Sequence, residues 1–221
     1  LRPISLVARV ALVTAIAAGL VATIVSLNRG PKWKVLNANG RGEIAVDGRV
    51  LSAPSAEAIA ALLTPGALVR VSAETEVEIL CDGYFVVQLT PSTEMTLPGA
   101  PGRWFGRDVA ASFHAGEARI ITGPRFEGAR LSIETEEAKI AVSGTTFAVI
   151  RDTAATCVCA FEGVVEVGVK DGRLEPVTPG SRTFHYSDGR PPATFPIDDM
   201  ENAKLSMFQD QSRPHLERAK R

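Results

Sequence analysis

Past residue 66 apolar and polar residues alternate one for one, in short runs broken by turn signals about every 8 to 12 residues. Val69 and Val71, Val77 with Ile79 and Cys81, Leu131 with Ile133, Ile140 with Val142, and Val165 with Val167 and Val169 all follow this rule. A side-chain period of two gives a strand one dry face and one wet face. Asp47-Gly48, Asp82-Gly83, Asp171-Gly172 and Pro179-Gly180 supply the turn residues between such strands. The pattern predicts an all-β domain, an antiparallel sandwich or roll. Helical signals after the N-terminus are few. The clearest is Ser55 to Leu63, with Ser52 or Ser55 as N-cap and Pro65-Gly66 as the stop.

Val10 to Leu27 forms a run of 18 residues without a charge. At about 1.5 Å per residue it crosses most of a hydrocarbon core of about 30 Å, so one N-terminal transmembrane helix is predicted. The competing reading is a secretory signal peptide, with Arg2 and Arg9 as its charged region and Ala15-Ile16-Ala17 as its cleavage site. The apolar run continues well past that site, which favours the span. Asn28 to Lys34 then reads as an interfacial stop, with Trp33 the membrane-interface anchor. The chain divides accordingly into an anchor and flanks (1–34), a connecting segment with a hairpin and short helix (35–65), the β-domain (66–189) and an extended C-terminal tail (190–221).

Basic and acidic residues number 24 and 25 and are scattered, so no nucleic-acid footprint is expected. His114, His185 and His215 are dispersed, and the sequence has no nucleophile elbow, phosphate loop, paired-acid pattern or haem-attachment motif. The chain therefore reads as non-catalytic toward external substrates, without cofactor or metal. Cys81 falls on an inward position, whereas Cys157 and Cys159 are two apart on one strand and point the same way. Four readings of that pair stand: a surface buried against a partner, ordinary free thiols, a disulfide to another cysteine, or a metal or redox site. Two thiols alone make a poor metal site. Partner binding is the reading carried forward for Cys157 and Cys159.

The segment from Gly128 to Val169 joins a Ser-Gly-Thr-Thr-Phe turn to an Ala-Phe-Glu-Gly-Val-Val-Glu-Val hairpin. Gly144-Thr145-Thr146-Phe147-Ala148-Val149 followed by Phe161-Glu162-Gly163-Val164-Val165-Glu166-Val167 resembles the core of the FecR domain family. Gly66-Ala67-Leu68-Val69, Cys81-Asp82-Gly83 and Ala115-Gly116-Glu117 fit the same order, and the resemblance runs over residues 40–187. It implies a FecR-like periplasmic domain held by a single pass in the bacterial inner membrane. The positive-inside count, Arg2 and Arg9 before the span against Arg29, Lys32 and Lys34 after it, points the other way. The family register implies that Val158 and Ala160 face the core and that Cys157 and Cys159 face outward. Some FecR-like anti-sigma regulators are similar in cleaving a Gly-Thr bond by an N-to-O acyl shift, and the matching bond is Gly144–Thr145. The expectation carried forward is that Gly144 makes a tight turn before two ordinary β-formers, with the bond intact, and self-cleavage at Gly144–Thr145 is the alternative.

After Gly189 the composition changes: Arg190 to Pro196 reads as extended, and Asp198 to Asp210 as a short amphipathic helix before a basic end. Phe195, Met200, Leu205, Met207 and Phe208 are its candidate partner-binding anchors. The anti-sigma branch of the family has a cytoplasmic helical segment and a further periplasmic module, and neither is visible in this sequence. The expectation is therefore a non-catalytic single-pass membrane protein with a periplasmic interaction domain. It would serve as an accessory or scaffold subunit among integral-membrane proteins in the bilayer, in a photosynthetic or respiratory complex. The alternative is a FecR-type anti-sigma or transmembrane signalling regulator, whose partners would be a sigma factor or a TonB-dependent transducer. A tethered ligand-binding domain is a third reading, disfavoured by sparse aromatics.

Overall fold

Residues 6–28, 33–52 and 55–218 are described by the computed structural model. They begin with helix α1 (Leu6–Asn28), whose side chains are described over 14–26 and are exposed. Strands β1 (Trp33–Gly40), β2 (Glu43–Val46) and β3 (Arg49–Ser52) precede the short helix α2 (Ala56–Ala60), capped by the Ser55 hydroxyl. There follow β4 (Leu68–Val71), β5 (Thr75–Cys81), β6 (Phe85–Leu89), β7 (Glu94–Thr96) and the long β8 (Asp108–Thr122). Beyond a single 3-10 turn at Pro124–Phe126 come β9 (Arg130–Glu134), β10 (Lys139–Val142), β11 (Thr146–Arg151) and β12 (Ala155–Glu162). The chain closes with β13 (Val165–Gly168), β14 (Glu175–Val177), β15 (Ser181–Tyr186), β16 (Ala193–Pro196) and helix α3 (Asp199–Glu217).

Strand β8 belongs to two sheets. Its first half pairs with β7 and β9, and from Gly116 onward it pairs with β6 and β11. Gly116 sits at φ +90, and a Cβ there would lie 2.6 Å from Thr93 Cα, so only glycine lets the strand bend between the sheets. One sheet runs β1-β5-β6-β8-β11-β12-β15-β16; the other runs β3-β2-β4-β7-β8-β9-β10-β13-β14. Among the described residues all pairings are antiparallel except β8 with β9, a departure from the expected antiparallel order. Because β8 folds over, both its ends reach one end of the sandwich, where the Arg107 guanidinium donates to the carbonyls of Arg125 and Gly128.

Between the sheets lies one core, which includes Val69, Val71, Ile79, Leu131, Ile133, Ile140, Val142, Phe147, Val149, Val165 and Val167. The first sheet is also apolar on its outer face. Leu80, Val86 and Ile121 form one outer cluster with Phe208 and Leu216 of α3, and Ala148, Cys157 and Cys159 form another with Leu205. Leu205, Phe208, Ser212 and Leu216 recur at helical spacing, so α3 lays one stripe across that face. Asp198 caps the helix by accepting from Glu201 N at 2.8 Å, and Arg182 holds Asp198 at 2.6 Å. Sheet strands buried on both faces lose their alternation, which is why Phe85-Val86-Val87 and Arg119-Ile120-Ile121 read as continuous runs.

Three expectations are corrected. Trp33 is 5% exposed, its ring centroid 5.1 Å from that of Phe85 and its indole N–H donating to the Pro98 carbonyl, so it is a core residue and not a membrane-interface anchor. The segment from 190 is not an extended tail: β16 joins the first sheet and α3 covers it. Trp33 pairs with Cys81 across β1 and β5, so the sandwich begins before residue 66. Among the residues described with their side chains, which in α1 are 14–26 alone, no helix is long and apolar enough to cross a membrane.

Candidate functional site

Ser143-Gly144-Thr145 carries the chain from β10 in the second sheet to β11 in the first. Gly144 is exposed at φ +153, while the next residue, Thr145, is only 5% exposed. A tie to β8 fixes the backbone of Thr145. Its N–H donates to Thr122 Oγ1 at 2.8 Å, and its carbonyl accepts from Thr122 N at 3.0 Å and from Thr122 Oγ1 at 3.2 Å. Thr145 Oγ1, in contrast, is buried with no hydrogen-bond partner among the described residues. An orphaned buried hydroxyl costs about 1–3 kcal/mol, so its presence calls for an explanation.

The hairpin turn between β12 and β13 closes over this peptide. Gly163, at φ +77, lies so near that a Cβ there would collide with the Gly144 carbonyl oxygen and stand 2.8 Å from Thr145 Cγ2. The two glycine-bearing motifs of the sequence are thus one structural unit. The end of α3 completes it: Gln209 donates to Thr146 Oγ1 at 2.9 Å and also to Glu162, and Arg213 donates to Glu162 at 2.7 Å. The resulting groove of about 590 Å³ is lined by Thr122, Gly144, Thr145, Gly163, Arg213 and Leu216, among others. Chemically, it sets a hydroxyl with a free lone pair and proton beside a strained glycine, and sets the Thr122 hydroxyl on the nitrogen of the same peptide.

A second polar cluster lies under the first turns of α3. Glu201 is 5% exposed, and its Oε1 forms a long ion pair with Arg119 Nε at 3.9 Å, neither atom making a hydrogen bond among the described residues. Lys204 reaches its other oxygen at 3.3 Å. Burial, with the nearby Glu117, raises the Glu201 carboxyl above its ordinary range despite Arg119 and Lys204. Arg119 itself is engaged by Glu117 and Gln88.

Cys157 and Cys159 do lie on the outer face of the first sheet, with their sulfurs 3.8 Å apart, and the polypeptide over them is this chain's own Leu205. Hydrogen bonding to Cys157, then burial, raises the Cys159 thiol far above the usual thiol range. Leu205 and Phe208 are likewise buried, which corrects their assignment to an external partner, as it does for the two cysteines. Phe195, Met200 and Met207 remain exposed, with Phe195 edge-on to Phe184. The structure therefore splits the five tail anchors and does not assemble them into one surface. Thr122 and Gln209 were not singled out from sequence, and Arg213 was read only as part of the basic end; nothing in their local pattern separates them from any strand-end threonine or surface helix residue. Among the described residues, no group of three or more His, Cys, Asp or Glu is placed to hold a metal ion.

The family described as FecR protein matches residues 49–166, which is more than half of the 221-residue chain. No curated protein matches the chain. Two crystal structures of a candidate anti-sigma factor from Parabacteroides distasonis ATCC 8503, at 2.50 Å and 1.65 Å resolution, share the fold. Both have a TM-score of 0.51 and 20% identity; they cover 66% and 68% of this chain, and 73% and 74% of their own. The family match overturns the expectation of an accessory or scaffold subunit of a photosynthetic or respiratory complex. The structure weakens its physical basis too, since four of the seven residues that were to grip such a complex, Cys157, Cys159, Leu205 and Phe208, are buried inside the domain.

Proposed function

Because the chain belongs to the FecR protein family, we propose that it is a FecR-type regulator that restrains a sigma factor and responds through a periplasmic β-sandwich. The observation that carries this reading is the family match over 49–166, which contains both glycine motifs of the groove. The likeness in fold to a candidate anti-sigma factor is consistent with it. Helix α1 includes the uncharged run from Val10 to Leu27, which suits it to a single-pass inner-membrane anchor. The partners of such a regulator are a sigma factor on the cytoplasmic side and a TonB-dependent transducer on the periplasmic side.

The test is co-purification from the source membrane in mild detergent, with transcript profiling after deletion of the gene. Recovery of a sigma factor or transducer, and a changed set of sigma-dependent transcripts, supports the reading. Recovery of bioenergetic subunits alone in stoichiometric amounts, with no transcriptional change, overturns it.

A second reading concerns the Gly144–Thr145 bond, and the orphaned Thr145 hydroxyl favours it. Thr145 Oγ attacks the Gly144 carbonyl carbon, the C–N bond breaks, and the hydroxyl proton passes to the departing nitrogen. The ester so formed takes up water, leaving a Gly144 carboxylate and a chain that starts at Thr145 with its hydroxyl restored. Thr122 Oγ1 accepts from that nitrogen at 2.8 Å and donates to the Thr145 carbonyl, which holds the peptide in place for the attack.

A further inference from the structure

The core position of Trp33 fixes which end of the sandwich faces α1. Asn28 ends the helix and Trp33 opens β1, and five residues of chain span at most about 18 Å. Trp33 donates to Pro98 O, and Pro98 opens the loop that leads into β8. That loop carries Trp104 and Phe105, 51% and 64% exposed. They are the most exposed aromatics of the described residues. The loop is braced for the display. The Arg107 guanidinium donates to the carbonyls of Gly102, Arg103, Arg125, Glu127 and Gly128, tying the loop to the turn after β8, while Gly102 N donates to Gly106 O. Arg103 is exposed and stacks over the Trp104 ring at 5.2 Å from its centroid.

We infer that Trp104 and Phe105 form a second membrane contact, a rigid aromatic tip that sits in the headgroup zone of the same bilayer that holds α1. The inference rests on α1 being a membrane anchor. The occupant is lipid for three reasons. The leash from Asn28 keeps this end of the domain within reach of the membrane surface. A Trp–Phe pair bearing an arginine has the amphipathic chemistry of the interface, with rings at headgroup level and the guanidinium on lipid phosphate. The braced backbone gives up little freedom on contact, so a two-residue tip is enough when the helix already supplies the affinity. A domain so tethered at two points is held in one orientation to the membrane, with the Gly144–Thr145 groove on the same end: Phe85 pairs with Thr122, and Thr122 bonds Thr145.

Two tryptophans in the chain make the test direct, since Trp33 is enclosed and Trp104 is not. The full chain is reconstituted in phosphatidylethanolamine–phosphatidylglycerol vesicles containing brominated lipid, and emission is compared with Trp104→Phe in the same vesicles. The expected result is loss of most Trp104 emission to the bromolipid, absent from Trp104→Phe, in vesicles that carry the chain on flotation. A chain that floats while Trp104 stays unquenched by bromolipid and open to acrylamide overturns the inference and leaves the anchor standing. Shielding from acrylamide without bromolipid quenching marks a protein occupant, a second copy included, and overturns the lipid assignment. Failure to float overturns the anchor and the inference together.

Discussion

A Cβ at position 163 would collide with the carbonyl oxygen of Gly144, so these two glycines, nineteen positions apart, occupy a single close contact. Their tolerance of substitution should differ. Gly144→Ala meets open space and suffers backbone strain alone, about 1–3 kcal/mol. Gly163→Ala combines strain at φ +77 with a clash against backbone, and is expected to cost more than Gly144→Ala. Urea unfolding of both variants decides it; equal losses would show that the close approach does not constrain the fold.

If the Gly144–Thr145 bond is scissile, denaturing electrophoresis gives a fragment whose N-terminus is Thr145. Thr145→Ala abolishes it and Thr145→Ser retains it, because only the hydroxyl is needed. Thr122→Val removes the side chain that holds the Thr145 peptide and should slow the reaction by about 100-fold through lost positioning. A chain that stays whole in every variant sinks the self-cleavage reading.

Leu205 seals Cys157 and Cys159, so Leu205→Ala is expected to cost about 2–5 kcal/mol and to open the pair to a thiol reagent. Cys81, enclosed in the main core with its thiol pushed up to about 12 by burial and then by Asp82, should stay unlabelled under the same conditions. Mass spectrometry of the labelled chain separates the two cases. Labelling of all three cysteines together would mean global unfolding in place of helix release.

Glu201 gives a pH signature of α3 docking. Its folded-state pKa is raised, chiefly by burial, so the folded state holds this proton more tightly than the unfolded chain, whose carboxyl titrates near its ordinary value of about 4.3. The sign follows: the stabilising effect of the proton is fully present below the unfolded pKa and is lost as pH rises through the folded one. Glu201→Gln, neutral at every pH, should flatten this part of the stability profile and raise the melting temperature at neutral pH. A wild-type profile that the substitution leaves unchanged in shape would refute the assignment.

The second sheet was legible in the sequence because one of its faces is wet. Leu131 with Ile133 and Ile140 with Val142 alternate with residues that stay polar or small, and period two survives. The first sheet was less so, since α3 dries its outer face with residues about fifty positions away from Cys157 and Cys159. The outward direction of those thiols could be read locally, but what covers them could not. Trp33 misled for a related reason: flanking lysines after an apolar run look the same whether the ring meets lipid or, as here, Phe85. The groove was half legible. Its two glycine motifs stood out, whereas their contact, and the clamp from Gln209 and Arg213, exist only once both sheets and α3 have come together.

The way β8 and β10 each receive a strand from beyond residue 145 bears on how the molecule carries load. Residues 116–121 ladder with 146–151, and 139–142 with 165–168. A chain nicked at 144–145 therefore remains one body, two halves zipped along two seams. Strand β1, the first after α1, and the last turn of α3 both reach the same end of the sandwich, Trp33 through Cys81 and Leu216 over Gly123. A pull between them would bear on both seams, and once the backbone is cut each seam is joined by ladder hydrogen bonds and side-chain packing with no covalent link. Such a nick would turn a covalent link into a mechanical fuse, silent at rest and ready to part when pulled.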